Sequence, residues 1–163
     1  MKKLGKSSKK GFTLVELIVV IVILAVLAAM LVPALVGYID RAKKEKDYQA
    51  ASVVYAAAQA AITEAYGNGT IAKREVKTIS ASDTYKAAEG SNPEVKYGDV
   101  VCDLAGVTYD ETNGKITNFI FKTDDGLVIT QGKVAIKNGG STEIIYELKT
   151  DGTWAPAADM TLS

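Results

Sequence analysis

The feature that most constrains this chain is an apolar run near its N-terminus. From Leu17 to Val36, 20 consecutive residues carry no charge and no polar side chain. As a helix, a run of this length rises about 30 Å, which is the thickness of the hydrocarbon core of a membrane. The run therefore predicts a membrane-spanning helix. The carboxylate of Glu16 stands at its edge, where a charge is costly unless it has a partner.

Charge and composition narrow the possible functions. The 19 basic and 19 acidic residues give a net charge of zero, but five lysines precede Phe12, so residues 12–163 carry fourteen basic and nineteen acidic side chains. This acidic excess argues against general nucleic-acid binding. The chain has no His, and Cys102 is its single Cys. The chain therefore lacks the residues needed for a zinc site, for His-based catalysis or for an intramolecular disulfide. We predict a protein that is not an enzyme and binds no metal or cofactor.

The N-terminal segment differs from an ordinary export signal. A secretory signal has an apolar stretch of about 7–15 residues followed by a small-x-small cleavage site, whereas this run is longer and no such site closely follows it. No Cys lies near the run, which excludes a lipoprotein anchor. Five basic residues before the run and four after it favour a cytoplasmic leader only slightly.

The residues around the start of the run carry a family resemblance. Lys9-Lys10-Gly11-Phe12-Thr13-Leu14-Val15-Glu16, followed by an apolar run that contains Pro33 and ends before Gly37, resembles the N-terminus of a type IV pilin precursor. The resemblance is close over residues 9–37. It implies that a prepilin peptidase cleaves between Gly11 and Phe12 and methylates the new amine of Phe12. It also implies that Glu16 directs assembly by neutralising the N-terminal ammonium of a neighbouring subunit.

The resemblance further implies partners and a location. The precursor would be a single-pass protein of the cytoplasmic membrane, surrounded by lipid until an inner-membrane platform with a cytoplasmic ATPase assembles copies of it into a helical filament on the cell surface. The missing disulfide favours a Gram-positive source. A pseudopilin of a type II secretion or competence system and a monomeric membrane-anchored binding domain are the alternatives. For Glu16 itself, the alternative is an acid that only favours a helix start.

Pro33 and Gly37 mark the weakest part of the predicted helix. Proline has no N–H and its ring opposes the carbonyl of Ala29, while Gly37 adds backbone freedom one turn later. The resemblance implies that the helix partly unwinds here in the filament. An ordinary membrane-helix kink is the alternative.

The helix is predicted to continue from Tyr38 to about Tyr66 as the first part of a head domain. Its core-facing stripe is predicted from residues at helical spacing: Ala50, Val54, Ala57, Ala61 and Ala65, widened by Val53, Ala58 and Ile62. Three oppositely charged pairs at i,i+4 spacing precede the stripe: Asp40 with Lys44, Arg41 with Glu45, and Lys43 with Asp47. These charges predict a solvated helix face, or alternatively pairing between subunits that fixes their register.

After the helix the pattern changes to loops and strands. Gly67-Asn68-Gly69 predicts the helix end, and this explains the Asn68-Gly69-Thr70 sequon better than glycosylation does. Residues 70–98 read as a variable connection with a possible short helix near Ser82 to Ala88. Asp99 to Leu104 is predicted to form a second short helix, with a strand as the alternative. Cys102 is predicted to be buried, with an intersubunit disulfide as the alternative.

The C-terminal third alternates with the period of two that is typical of half-buried strands. In one segment, the apolar residues Ile144, Tyr146 and Leu148 alternate with Glu143 and Glu147 and are predicted to face the core. In another, Val134 and Ile136 alternate with Lys133 and Lys137 in the same way. Turns that suit antiparallel hairpins are predicted at four places: Asn113-Gly114, Asp125-Gly126, Asn138-Gly139 and Asp151-Gly152.

The predicted fold class is therefore α+β. A long N-terminal helix, with its first half transmembrane, packs its second half on a C-terminal antiparallel sheet, which is the type IV pilin fold that the resemblance implies. The predicted divisions are a cleaved leader over residues 1–11, a transmembrane and filament-core segment over 12–37, and a head domain over 38–163.

Overall fold

One long helix and one antiparallel sheet contain most of the structured residues. The computed structural model describes residues 11–71, 76–86, 93–110, 115–124, 128–137 and 142–162. The helices are α1 (Leu14–Gly67) and α2 (Tyr97–Leu104). The strands are β1 (Thr78–Ser80), β2 (Thr84–Lys86), β3 (Val95–Lys96), β4 (Ile116–Asp124), β5 (Val128–Lys137), β6 (Glu143–Leu148) and β7 (Trp154–Ala157).

The chain divides into two compact units, one ending at Lys43 and the other beginning at Lys44. The first unit contains the apolar part of α1, and the second contains the remainder of α1, α2 and all the strands. The second unit has its own buried core. From here on, the name head domain refers to this second unit, residues 44–163, rather than to the predicted range 38–163.

The main sheet is a meander with one added strand. Its order is β1-β4-β5-β6-β7 with every pair antiparallel, and β2 pairs with β3 separately. The meander over β4 to β7 confirms the prediction from the period-two pattern. The sequence did not predict β1, which pairs with β4 and sets Ile79 opposite Phe121. Both residues are buried, so the added strand extends the apolar face of the sheet.

The head-domain part of α1 packs on this sheet. Tyr48 meets Tyr146 edge-on at 5.3 Å between ring centroids, and Tyr55 meets Phe121 at 6.3 Å. Polar contacts flank the apolar ones, since the Ile129 amide donates to Gln59 Oε1 at 2.9 Å. Each large side chain buried in such a core contributes about 1.5–3 kcal/mol of hydrophobic stabilisation. The predicted helix-on-sheet core is confirmed.

The stripe of α1 that faces the sheet is narrower than the sequence suggested. The residues of α1 that are buried are Asp47, Ala51, Val54, Ala57, Ala58, Ala61, Ile62 and Ala65. Val53, predicted to widen the stripe, is 45% exposed, and Ala50 is only partly buried. Successive residues turn by about 100° around a helix. The sheet covers the side of the helix that carries Val54, and Val53 lies on the neighbouring side, outside the contact.

The segment after Ser80 forms a turn and then strand β2, so the short helix predicted near Ser82 to Ala88 is wrong over Ser82 to Lys86. Asp83 closes a turn instead, accepting from the Ser80 amide at 2.7 Å and donating its own amide to the Ser80 carbonyl at 3.1 Å. The chain then enters β2, where Tyr85 packs edge-on against Tyr97 at 5.0 Å. This contact with α2 overrides the local helical preference. Residues 87–92 lie outside the described part.

The predicted end of the long helix and the predicted second helix are both confirmed. Helix α1 ends at Gly67, and Gly69 adopts the left-handed conformation with φ of 74°. The amide of Thr70 reaches back to the carbonyl of Ala65 at 2.8 Å, which satisfies an orphan acceptor of the last turn. The predicted second helix is α2, which begins two residues earlier than expected.

One lysine of the sheet is buried, contrary to the alternating pattern. Lys133 is only 7% exposed, and its ammonium lies 3.4 Å from Asp159 and 3.9 Å from Glu147. The two carboxylates replace the water that the charge loses. Ile144, predicted to face in, is 39% exposed because it lies at the start of β6.

The turn at Asp151-Gly152 is present as predicted. Gly152 has φ of 81°, and Asp151 Oδ1 accepts from the amide of Thr153 at 2.9 Å. Both features suit a tight link between β6 and β7. The other three predicted turns, at Asn113-Gly114, Asp125-Gly126 and Asn138-Gly139, lie outside the described residues.

Cys102 is buried, which confirms the prediction, and it is a free thiol with 1% of its surface exposed. Burial, with a smaller effect of Asp99, raises its pKa to about 12.

Because the thiolate is the reactive form, we expect iodoacetamide to label Cys102 very slowly in the folded protein from pH 7 to pH 9. In protein unfolded by urea, the labelling rate should be much higher and should rise steeply with pH around the ordinary thiol pKa of about 8.5. Mass spectrometry of the labelled chain measures both rates. Equal labelling of folded and unfolded protein would contradict the burial.

Candidate functional site

The start of α1 is held by a reciprocal pair of hydrogen bonds between Thr13 and Glu16. The Thr13 amide and hydroxyl each donate to Glu16 Oε2 at 2.8 Å, and the Glu16 amide donates to Thr13 Oγ1 at 3.3 Å. This is a capping box, in which a Thr before the first turn and an acid three residues later satisfy each other's backbone. The Thr-x-x-Glu spacing was visible in the sequence, but the capping box was not predicted from it, and the alternative given for Glu16 was only an acid that favours a helix start.

The capping box occupies only one oxygen of the Glu16 carboxylate. Both bonds from Thr13 end on Oε2, and within the described residues Oε1 accepts no hydrogen bond. A carboxylate has about four acceptor positions on its two oxygens. The local role therefore leaves Glu16 able to bind a cation from outside the chain.

The predicted cleavage point lies just before the helix, in exposed chain. Gly11, Phe12 and Thr13 have no regular secondary structure, and Phe12 is 87% exposed. No atom of the described residues lies within 4 Å of a Cβ built on Gly11. Packing within the described residues therefore does not require a glycine at that position. Leader residues 1–10 lie outside the described part.

The apolar half of α1 is uncovered. Every residue from Gly11 to Lys46 is exposed, including large apolar side chains such as Leu14 at 74% and Met30 at 72%. In length and composition α1 is the one described helix that qualifies to cross a membrane. An apolar surface of this size is stable only against lipid or another apolar surface.

Helix α1 is continuous through Pro33 and Gly37. No atom of the described residues lies within 4 Å of a Cβ built on Gly37, so packing within this part of the chain does not require the glycine. The missing N–H of Pro33 leaves the Ala29 carbonyl without its helical donor. The predicted unwinding concerns the assembled filament and stays a prediction.

The charged segment after the apolar run is not internally paired as predicted. Among the ion pairs of the described residues, Asp40–Lys44 and Arg41–Glu45 do not occur. Asp47 turns inward instead: Lys115 Nζ lies 2.9 Å from its Oδ1, and the Tyr146 hydroxyl donates to its Oδ2 at 3.0 Å. Burial, followed by the bond to Asp47, raises the pKa of Tyr146. Asp47 thus belongs to the head-domain core rather than to a solvated face.

Comparison with known proteins gives one finding for the site. A family described as the prokaryotic N-terminal methylation motif matches residues 6–32. No curated protein and no solved structure matches the chain. The match covers the end of the predicted leader, Gly11, Phe12, Glu16 and most of the apolar run.

The motif and the fold together support one class of protein, the type IV pilin-like prepilins. A long N-terminal helix whose second half packs on an antiparallel sheet is the architecture that this class predicts. Within the class, the motif fits a pilin or a pseudopilin, and with the apolar helix it fits a membrane-anchored precursor.

Proposed function

We propose that this chain is the structural subunit of a type IV pilus. It is inserted in the membrane as a prepilin, cleaved after Gly11, methylated on the amine of Phe12 and polymerised into a helical surface filament. One observation carries the proposal: a helix start within the methylation motif leads into an apolar segment whose residues are all exposed, and the same helix continues into a head domain with its own buried core. Such a chain needs lipid first and copies of itself afterwards.

Charge pairing gives a physical reason for ordered assembly. Cleavage creates an α-amine at Phe12 with an ordinary pKa of about 8, so it is protonated at neutral pH. The ammonium and the Glu16 carboxylate are each costly in an apolar environment and far less so together. Oε1 of Glu16, which the capping box does not use, is the oxygen that meets the ammonium of a neighbour. Helix packing then supplies the remaining association energy.

The proposal includes the partners that processing and assembly need. These are a prepilin peptidase, an inner-membrane platform driven by a cytoplasmic ATPase, and further copies of the chain. A Gram-positive cell and an extracellular filament are part of the same proposal. The lack of an intramolecular disulfide supports the first of these, because one Cys cannot form a closed loop.

The N-terminus of the mature protein tests the proposal most directly. We expect intact-mass and peptide analysis of surface-sheared material to find a chain that begins with N-methylated Phe12. The reason is that the proposal assigns cleavage to the Gly11–Phe12 junction, which lies within the matched motif and is exposed. A mature chain that begins at Met1 and stays monomeric in detergent would instead establish a membrane-anchored binding domain.

A pseudopilin shares the motif and the processing step, so the mature N-terminus does not distinguish it from a pilin. Electron microscopy of the native cell surface does. Long filaments labelled by an antibody to the head domain are expected for a pilus. A processed chain confined to the cell envelope would favour the pseudopilin.

A further inference from the structure

An open groove of about 480 Å³ lies beside α2 in the head domain. Its apolar lining comes from Val95, Val100, Val107 and Tyr109. Close packing fixes one wall, since a Cβ at Gly98 would lie 2.5 Å from the ring of Tyr109. The glycine therefore allows the ring to press against the start of α2, and the groove is a built feature of the fold.

Two carboxylates also line this groove. Asp99 and Asp103 are exposed and lie one helical turn apart on α2, so they share a face. Neither forms an ion pair with any of the described residues. Apolar walls beside two carboxylates suit the long side chain of Lys or Arg, whose methylenes cover apolar surface while the charged end meets the acids.

The same chain carries a set of cations that lack partners. Arg41, Lys43, Lys44 and Lys46 are all exposed and form no ion pair within the described part of the chain. Residues 40–46 carry four basic and two acidic side chains, for a net charge of +2. Residues 47–163 carry ten basic and sixteen acidic side chains, for a net charge of −6. The two parts are complementary in charge.

From these observations we infer that the groove beside α2 receives the cationic segment 41–46 of a second copy. The inference rests on the proposed filament. When apolar helices bundle, the residues directly after the apolar run lie where the bundle meets the surrounding head domains of other copies. The cations of one subunit then reach the Asp99 and Asp103 carboxylates of another, and the pairing fixes the register of successive subunits because misplaced like charges repel.

Charge exchange tests the inference in living cells. Asp99→Lys with Asp103→Lys should lower the yield of sheared pili at least about tenfold, since it places like charges opposite each other. Lys43→Asp with Lys44→Asp should lower it similarly. Combining all four substitutions restores the net charge and the opposition of signs, and should return the yield to within about threefold of wild type.

Two controls separate pairing from other effects. Asp124→Lys changes an exposed acid of β4 outside the groove and should leave the yield unchanged. Thermal unfolding of each full-length variant in detergent should match wild type, which excludes misfolding. A groove variant that assembles normally, or a well-folded four-fold variant that stays defective, would overturn the inference.

The remaining outcomes are also distinguishable. If Lys43→Asp with Lys44→Asp reduces the membrane-bound pool while the groove variant has no effect, the cations serve anionic lipid headgroups and the inference is wrong. If wild-type cells make pili with methylated Phe12 but charge exchange has no effect, only the groove assignment fails. If wild-type cells make no pili, the proposed function itself fails.

Discussion

Glu16→Val should abolish pilus assembly while leaving membrane insertion and leader cleavage intact. We expect the yield of sheared filaments to fall more than about thirtyfold, the ratio that corresponds to a loss of about 2 kcal/mol in a charge pair shielded from water. Insertion depends on the apolar run, which this substitution lengthens. Immunoblots of membrane and sheared fractions measure both effects.

The capping box makes a sharper version of this experiment possible. Glu16 has two separable roles, because Oε2 holds Thr13 and the carboxylate also carries a charge. Glu16→Gln preserves the capping box, since glutamine serves equally at that position, but it removes the charge. Thr13→Ala removes the cap and keeps the charge.

If charge pairing is the assembly determinant, Glu16→Gln should assemble as poorly as Glu16→Val, and Thr13→Ala should stay within a few-fold of wild type. The opposite ranking would assign Glu16 to helix capping alone. In that case the acid at the edge of the apolar run would have only its local function, and charge would not guide assembly.

Asp47→Ala should destabilise the head domain by about 2–4 kcal/mol, somewhat less than for a fully buried pair because Lys115 remains 23% exposed. The Asp47 side chain is 2% exposed and serves both Lys115 and Tyr146. Its loss takes from the buried Tyr146 hydroxyl the acceptor it binds, at a cost typical of an unsatisfied buried group. The expected fall in the melting temperature is about 10 °C.

Trp154 provides the measurement. It is the single Trp of the chain, it is 7% exposed, and its indole N–H donates to the Ser52 hydroxyl of α1 at 3.0 Å. Its fluorescence therefore reports the contact between helix and sheet.

Asp47→Asn, which keeps the shape and one acceptor, should have a melting temperature between those of Asp47→Ala and wild type. Glu45→Ala, at an exposed neighbouring position, is the matched control and should change little. An unchanged melting curve for Asp47→Ala would show that the buried contacts do not stabilise the head.

Local patterns in the sequence predicted α1, α2 and the strands of the meander, but not β1, β2 or β3. The end of α1 followed from Gly67-Asn68-Gly69, the second short helix from the spacing of its apolar residues, and the meander from the period of two. The helix start was equally readable, because Thr-x-x-Glu is a local signal, although the capping of Thr13 by Glu16 was not predicted from it. Each of these features depends on residues within a few positions of one another.

Contacts between distant residues account for the errors. Val53 and Val54 are equally apolar, but only the docking of α1 on the sheet decides that Val54 is buried. The helical tendency near Ser82 was overridden by a turn at Asp83 and by the packing of Tyr85 on Tyr97.

The sequence by itself determined that this chain has an apolar run long enough to span a membrane, a lone acid at the edge of that run, and too few cysteines for an intramolecular disulfide. Only the tertiary structure decided which charged side chains lie inside. Asp47 and Lys133 are buried because partners from distant strands or the C-terminal segment replace their water. A pattern of neighbouring residues records which face of an element is apolar, but the cost of burying a charge depends on what the rest of the chain places beside it.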